Sequence, residues 1–419
     1  MIDDRDLFER AAQRFAPPER SFDRLVRRRD RKRRNQRIAA GAVGIVIAMA
    51  VALTGVILLR SEPVPADRTP TGAARNGEIV MVRGFFWRSD TNPELVAVDP
   101  GTGDIRQLAT CDQECFVSPG AWSPDGTELL YSSGGILHGL DFETGSSRVI
   151  VASRSGNGIF SPDGERIVYD AGRPPRTPTE FHLVGRDGGI GTTLRPLGGM
   201  NLWWYQWLPD GRSIAYFEHG VHLSDGSIAI LDLDGRPTAR TLVSFPEADP
   251  CNGPSSPLGC VHSTAMSPVD GRIAYAMHDP EAGTDTVRLI DPDDGAITRV
   301  GAWTVTGRPG TVPSRLAWSP DGSRIAYAAD CQIWSIAPDG TDRVLLKDLG
   351  ACTTTPDRLT WSPDGAELAF FELARDAAGT LEDATLTVLT LDGGAIRRLA
   401  TFPSDDAVGI GPFVWRPVP

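Results

Sequence analysis

Four of the six histidines, His219, His222, His262 and His278, fall in one stretch of the chain, and the first two are spaced as HxxH. Neutral imidazoles ligate divalent metals, and imidazole exchanges protons near neutral pH. Trp203, Trp204 and Tyr205 stand just before them as an aromatic cluster, and Asp279 and Glu281 add carboxylates. Such a set could hold a divalent metal or a ligand, or serve as ligands and proton carriers in a lyase or hydrolase acting on polysaccharide. The plainer reading is that the histidines are ordinary loop residues and the aromatic trio partly packs inside the fold. HxxH on a loop is no substitute for HExxH on a helix. The sequence has no HExxH, no Walker loop and no GxSxG nucleophile elbow. The acidic turns Asp232–Gly235, Asp291–Gly295 and Asp339–Gly340 lack the spaced ligands and distant Glu of an EF-hand, and turn chemistry accounts for them. No catalytic residue is assigned.

The elements that must position these residues are repeats. Trp318–Ala328 reads WSPDGSRIAYA, and the pattern returns at 122–131, 160–169, 207–216, 266–275 and 361–370. In each copy an apolar residue ends one strand, Ser-Pro-Asp-Gly or a close variant reverses the chain, and a strand alternating toward Ile-Ala-Tyr follows. Proline presets φ, and Asp-Gly tolerates the left-handed geometry of a tight hairpin. A second strand–turn–strand module follows most copies, as in Gln332–Leu346, giving four antiparallel strands per unit. A unit of this kind cannot bury both faces alone, and four-stranded repeats of about 40 to 60 residues are the signature of propeller blades.

The motif resembles the TolB-like, WD40-like β-propeller family over residues 77–419. That likeness implies an all-β fold and leaves function open, since propellers serve as scaffolds, receptors and enzymes alike. The chain enters this region on outer strands only, Glu78–Gly84, Glu94–Val98 and Ile105–Ala109, and ends on Phe413–Pro417, a lone inner strand. The last strand is therefore expected to complete the first blade. Six hairpins plus this shared blade predict seven blades, with six as the alternative.

Residues 1–37 form a basic segment in which Asp6–Phe15 and Ser21–Val26 have apolar residues at helical spacing, either side of Pro17-Pro18. Such short helices, marginal in water on their own, either lie on the membrane surface or stay disordered, or else dock a cytoplasmic regulatory partner. Residues 38–59 are uncharged and long enough, at about 1.5 Å per residue, to span the hydrocarbon core as a helix. A cleaved signal peptide is the rival reading, but the apolar run is too long and no small-residue cleavage site follows. Nine basic residues between Arg24 and Arg37 flank the run, against Arg60 and Arg68 beyond it, so the N-terminus is expected in the cytoplasm and the propeller outside. Residues 60–76, with Pro63, Pro65 and Pro70, read as a linker. Net charge divides the same way: +6 over residues 1–37 and −18 over the remainder, which excludes nucleic acid as the outer domain's partner. Only Lys32 and Lys347 among 42 basic residues are lysine, a bias associated with high-GC bacterial genomes such as those of actinobacteria.

All six cysteines follow the apolar run, in the close pairs Cys111–Cys115, Cys251–Cys260 and Cys331–Cys352. An even count outside the membrane favours three disulfides. Zinc is the rival, but the cysteines lack paired CxxC ligand spacing. In each blade the Ser-Pro-Asp-Gly turn joins the first and second strands at one face, so the second-to-third turns and inter-blade loops share the other. That map puts His219 and His222 in a turn of the fourth blade, His278 in the matching turn of the fifth, and His262 in the loop entering the fifth. The sequence thus predicts a membrane-tethered, non-enzymatic propeller, without cofactor, that binds a protein, peptide or glycan outside the cell as a scaffold or sensor. The alternative is a metal-dependent polysaccharide lyase or hydrolase using the histidine cluster of blades four and five.

Overall fold

The computed structural model describes residues 75–84, 92–111, 115–152, 155–173, 177–189, 191–194, 201–219, 226–245, 261–279, 284–304, 316–329, 331–350, 354–376, 380–403 and 412–418. The basic segment, the apolar run 38–59 and most of the linker lie outside them. Among the described residues no helix is long and apolar enough to cross a membrane.

The described residues form seven four-stranded antiparallel sheets, each a blade. Blade 1 contains β1 (Arg75–Arg83), β2 (Glu94–Val98) and β3 (Ile105–Thr110), and blade 2 contains β4 (Cys115–Phe116), β5 (Glu128–Ser133), β6 (Ile136–Asp141) and β7 (Ser147–Val151). Blade 3 is β8 (Ser155–Phe160), β9 (Arg166–Arg173), β10 (Thr177–Gly185) and β11 (Thr192–Leu194). Blade 4 is β12 (Asn201–Trp207), β13 (Ser213–His219), β14 (Gly226–Asp232) and β15 (Thr238–Phe245). Blade 5 is β16 (Val261–Met266), β17 (Ile273–Asp279), β18 (Thr284–Ile290) and β19 (Ile297–Thr304). Blade 6 is β20 (Ala317–Trp318), β21 (Ile325–Ala329), β22 (Gln332–Ile336) and β23 (Val344–Asp348). Blade 7 is β24 (Thr354–Trp361), β25 (Glu367–Arg375), β26 (Leu381–Thr390) and β27 (Ile396–Pro403), and the last strand, β28 (Val414–Val418), returns to blade 1.

The predicted seven-bladed count and the shared first blade both hold. β28 pairs antiparallel with β1, Val80 opposite Val414 and Arg75 opposite Val418. The first strand thus begins at Arg75, so Arg75 and Asn76, assigned to the linker from sequence, belong to the ring. Their backbones find partners in β28 because the closing strand extends to Val418.

The repeated turn forms for a reason visible in its hydrogen bonds. In blade 2 the Ser123 hydroxyl donates to Asp125 Oδ1 at 2.5 Å and accepts from the Glu128 amide at 2.9 Å, while the Gly126 amide donates to the Ser123 carbonyl. Blades 3, 6 and 7 repeat the Ser–Asp bond through Ser161–Asp163, Ser319–Asp321 and Ser362–Asp364. Each local set satisfies polar groups that the reversal would otherwise strand.

Between blades lie the apolar cores. Ile79, Met81 and Phe371 with Trp415 fill one seam, and Tyr327, Ile325 and Trp318 another. The indole N–H of Trp318 donates to the Ala265 carbonyl of blade 5, and that of Trp361 to the Ala317 carbonyl of blade 6, so inner strands are tied as well as packed. On the outer strands a cation reaches to the next blade's turn. Arg148 donates to the Arg186 carbonyl, Arg240 to Pro292, Lys347 to Gly394, and Arg397 to Pro100 across the closure.

Candidate ligand-binding end of the ring

The inner strands are irregular at the end opposite the Ser-Pro-Asp-Gly turns. β8 breaks register between Ser155 and Gly158, β12 between Leu202 and Trp204, β16 between Val261 and Ser263, and β24 between Asp357 and Thr360. The first three breaks occupy the same place relative to the hairpin, four residues before Phe160, Trp207 and Met266. A bulge adds a residue that the partner strand cannot match and re-aims the side chains beside it, which is why bulges recur at functional ends of sheets.

Two sequence-nominated residues are themselves the extra residues, Trp203 in blade 4 and His262 in blade 5. Their side chains lie outside the described residues. In blade 7 the bulge carries Arg358 in the left-handed region, φ 59°, with Nε 3.6 Å from Asp357 Oδ2.

The bulge of blade 3 is the best defined. The Asn157 amide donates to Asp170 Oδ1 at 2.7 Å, and the Tyr205 hydroxyl, from the inner strand of blade 4, lies 2.5 Å from the Asn157 carbonyl and 2.9 Å from the same Oδ1. One phenolic proton thus serves two acceptors. A Cβ on Gly156 would stand 2.4 Å from Asp170 Oδ2, so only glycine lets the carboxyl close over the bulge. Burial pushes the Asp170 carboxyl above its usual range, against the hydrogen bonds from Tyr205 and Asn157. The Tyr205 phenol is pushed well above its usual value, first by burial and then by the Asp170 carboxylate beside it.

Glu218 of β13 lies in the same seam between blades 3 and 4. It is 8% exposed; Oε1 accepts from the Ser227 hydroxyl at 3.1 Å, and Oε2 has no hydrogen-bond partner among the described residues. Burial raises its pKa as well.

Trp204 and Tyr205 do not share one cluster. Tyr205 packs with Phe181, centroids 4.9 Å apart, on the blade 3 side, whereas Trp204 packs on the core shared with blade 5. Adjacent strand residues point to opposite faces, so Trp204 and Tyr205 must part.

His219 and His278, expected in turns, are strand residues. His219 pairs with Asn201 and Gly226, and His278 with Asp285. His262, expected in a loop, is within β16. The third strands of both blades keep pairing past Tyr216 and Tyr275, and this carries the second strands further than the motif indicates. The backbone puts His219 and His278 at matching positions, three residues beyond those tyrosines, with His262 in the adjoining bulge. The side chains of these three, and all of His222, lie outside the described residues. Among the described residues no three His, Cys, Asp or Glu side chains group so as to hold a metal ion.

The remaining histidines are structural: His138 stacks on Tyr131 at 5.0 Å and His182 on Tyr169 at 5.1 Å. Cys111 and Cys115 form a disulfide, Cα atoms 5.8 Å apart, which ties the end of β3 to the start of β4. Cys331, at φ 63°, is also disulfide-bonded, and Cys352, Cys251 and Cys260 lie outside the described residues.

Sequence reasoning missed Asp170, Asn157 and Glu218. For the first two the signal was present in Ser155–Phe160, SGNGIF, where two glycines inside a strand mark a bulge or close backbone approach.

Seven four-stranded blades, six of them turning on Ser-Pro-Asp-Gly or a close variant, with the last strand completing the first, define a seven-bladed β-propeller. No protein-family model matches the chain, and no curated protein matches it. Solved structures do. A protein of unknown function from Desulfotomaculum acetoxidans aligns with TM-score 0.54 and 12% identity over 82% of this chain and 100% of that one. An oligogalacturonate lyase in complex with manganese aligns with TM-score 0.52 and 17% identity over 78% and 86%. TolB from Acinetobacter baumannii aligns with TM-score 0.45 and 16% identity over 81% and 66%. At such identities the likeness is one of fold.

Proposed function

We propose that this chain is a membrane-tethered, non-enzymatic propeller that binds a protein, peptide or glycan outside the cell, serving as scaffold or sensor. The observation that carries the reading is the row of bulges at one end of the inner strands of blades 3, 4, 5 and 7. Regular inner strands would suffice for a ring that only packs. The tether, its orientation with residues 1–37 in the cytoplasm, and a cytoplasmic partner for those residues follow from the apolar run 38–59 and its basic flank.

Two measurements test this. A phosphatase that is active only outside the cytoplasm, fused after Pro419, is expected to be active in intact cells; an expressed but silent fusion overturns the topology. A photo-crosslinking residue at Phe116, 43% exposed at the bulged end, is expected to capture a ligand that the same residue at Val269, 58% exposed in the turn of blade 5, does not. Equal capture at both ends removes the assignment of the binding end.

A second reading, a metal-dependent polysaccharide lyase or hydrolase, draws support from the matching strand positions of His219 and His278 in neighbouring blades, with His262 in the bulge of blade 5. The manganese-bound lyase of like fold is consistent with that chemistry. It requires the full-length protein, purified in detergent without chelator or histidine tag, to retain about one metal per chain, lost in His219→Ala. A metal-free and equally stable protein eliminates it.

A further inference from the structure

Among the described residues three glutamates are buried, Glu128, Glu218 and Glu372, at 7%, 8% and 5% exposure. Two of them meet arginine. Glu128 accepts from Arg148 Nε at 2.8 Å and Arg186 Nε at 3.1 Å. Glu372 takes both Nε and Nη2 of Arg398, at 3.1 and 3.0 Å, with the Thr387 hydroxyl at 2.8 Å.

Glu218 occupies in blade 4 the position of Glu372 in blade 7, two residues past the aromatic that closes the hairpin motif, Tyr216 and Phe370 respectively. The strand registers can be overlaid. Phe370 faces Thr387, which faces Arg398; Tyr216 faces Ala229, which faces Thr241. Blade 4 therefore keeps the carboxylate, keeps one hydroxyl in Ser227, and lacks the guanidinium. Thr241, where the arginine should be, is short and exposed. Among the described residues Glu218 Oε2 is left with no hydrogen-bond partner. A carboxylate shut away from water without donors is costly, and the other two buried glutamates meet guanidinium, Glu128 from two arginines and Glu372 from Arg398 in bidentate fashion.

We propose that Glu218 is the receptor for an arginine side chain of a peptide or protein ligand, which enters the seam between blades 3 and 4 past the exposed Thr241 and takes the place Arg398 holds in blade 7. The net charge of −18 beyond residue 37 favours approach of a basic ligand. The inference deepens the binding reading above and rests on it.

The test uses the full-length protein in detergent, with acetyl-arginine amide as probe and acetyl-citrulline amide as its neutral match, read by calorimetry. The arginine compound is expected to bind roughly tenfold or more tightly than the citrulline compound, and Glu218→Gln to erase the difference. Thr241→Arg supplies the guanidinium from within: it is expected to raise Tm and abolish probe binding, and the rise is expected to vanish in the double variant with Glu218→Gln. Equal affinity for the two compounds, no binding of either, or unchanged preference in Glu218→Gln overturns the proposal. So does a Thr241→Arg protein with wild-type Tm and binding. Any of these with the Phe116 and Val269 crosslinking contrast intact refutes the arginine receptor and leaves the binding propeller standing.

Discussion

The phenolic oxygen of Tyr205 stands 2.9 Å from Oδ1 of Asp170, so that a side chain of the inner strand of blade 4 closes a polar gap in blade 3. Tyr205→Phe leaves the Asn157 carbonyl and the Asp170 carboxyl without that hydroxyl. Removing one partner from a buried set is expected to destabilise the ring by about 1–3 kcal/mol, measured by urea unfolding. A phenylalanine variant as stable as the wild type would mean the seam holds without the bond.

The same carboxyl gives stability a pH dependence of definite sign. The folded pKa of Asp170 is raised above the ordinary 3.8, so the native state holds this proton more tightly than the unfolded chain does. Its contribution is therefore present at low pH and declines as pH rises from about 4 through the raised pKa. Asp125 works in the opposite direction. Burial opposes its ionisation, but hydrogen bonds from Ser123 and Thr127, with Arg186 nearby, outweigh it and hold the carboxyl at about 2. Its contribution is complete above 3.8 and is lost as pH falls toward 2. Thermal unfolding across pH should show Asp170→Asn flattening only the upper limb and Asp125→Asn only the lower. Interchanged or absent effects contradict these directions.

Two glycines separate backbone strain from contact. Gly134 has φ 58° and open space where a Cβ would stand, whereas Gly126 has φ 65° and a Cβ there would sit 1.8 Å from the Pro417 carbonyl oxygen. Gly134→Ala is expected to cost only the left-handed penalty, about 1–2 kcal/mol. Gly126→Ala should cost more and loosen the closing strand, seen as faster proteolysis near the C-terminus. Equal losses of Tm in the two variants would remove the contact as a cause.

Peptide mapping without reductant should recover Cys111 joined to Cys115 and Cys331 joined to Cys352. Cys331 follows the second strand of blade 6, and the partner expected for it, Cys352, comes between β23 and β24 in the sequence. Recovery of Cys331 with Cys251 or Cys260 would show that strand order misleads about which loops adjoin.

What could be read in advance was whatever the chain encodes locally. Ser-Pro-Asp-Gly announces a turn because proline, Asp125 and Gly126 do their work within a few residues, and counting hairpins against leftover strands yields seven blades with a shared first one. The seams were not legible in this way. Asp170 sits where blade 2 has Ser132 and blade 5 has Ala276, and nothing near it in sequence shows that Tyr205 will reach it. Glu218 and Glu372 look alike along the chain; the difference lies two strands away, at Thr241 and Arg398. His219 and His278 were placed in turns rather than at strand ends because strand length depends on the pairing of the next strand, which the motif does not contain.

The pairing of β28 with β1 also governs the order of assembly. The Trp415 indole bonds the Gly77 carbonyl across 338 residues of sequence. A ribosome adding about 5–20 residues per second delivers the second partner roughly 20–70 s after the first. Throughout that interval β1 presents one unpaired edge and blades accumulate as an open arc, each able to rest on the one before it. The final strand therefore works as a lock on the finished molecule, and β1 is the edge that nascent chains must keep from pairing with one another.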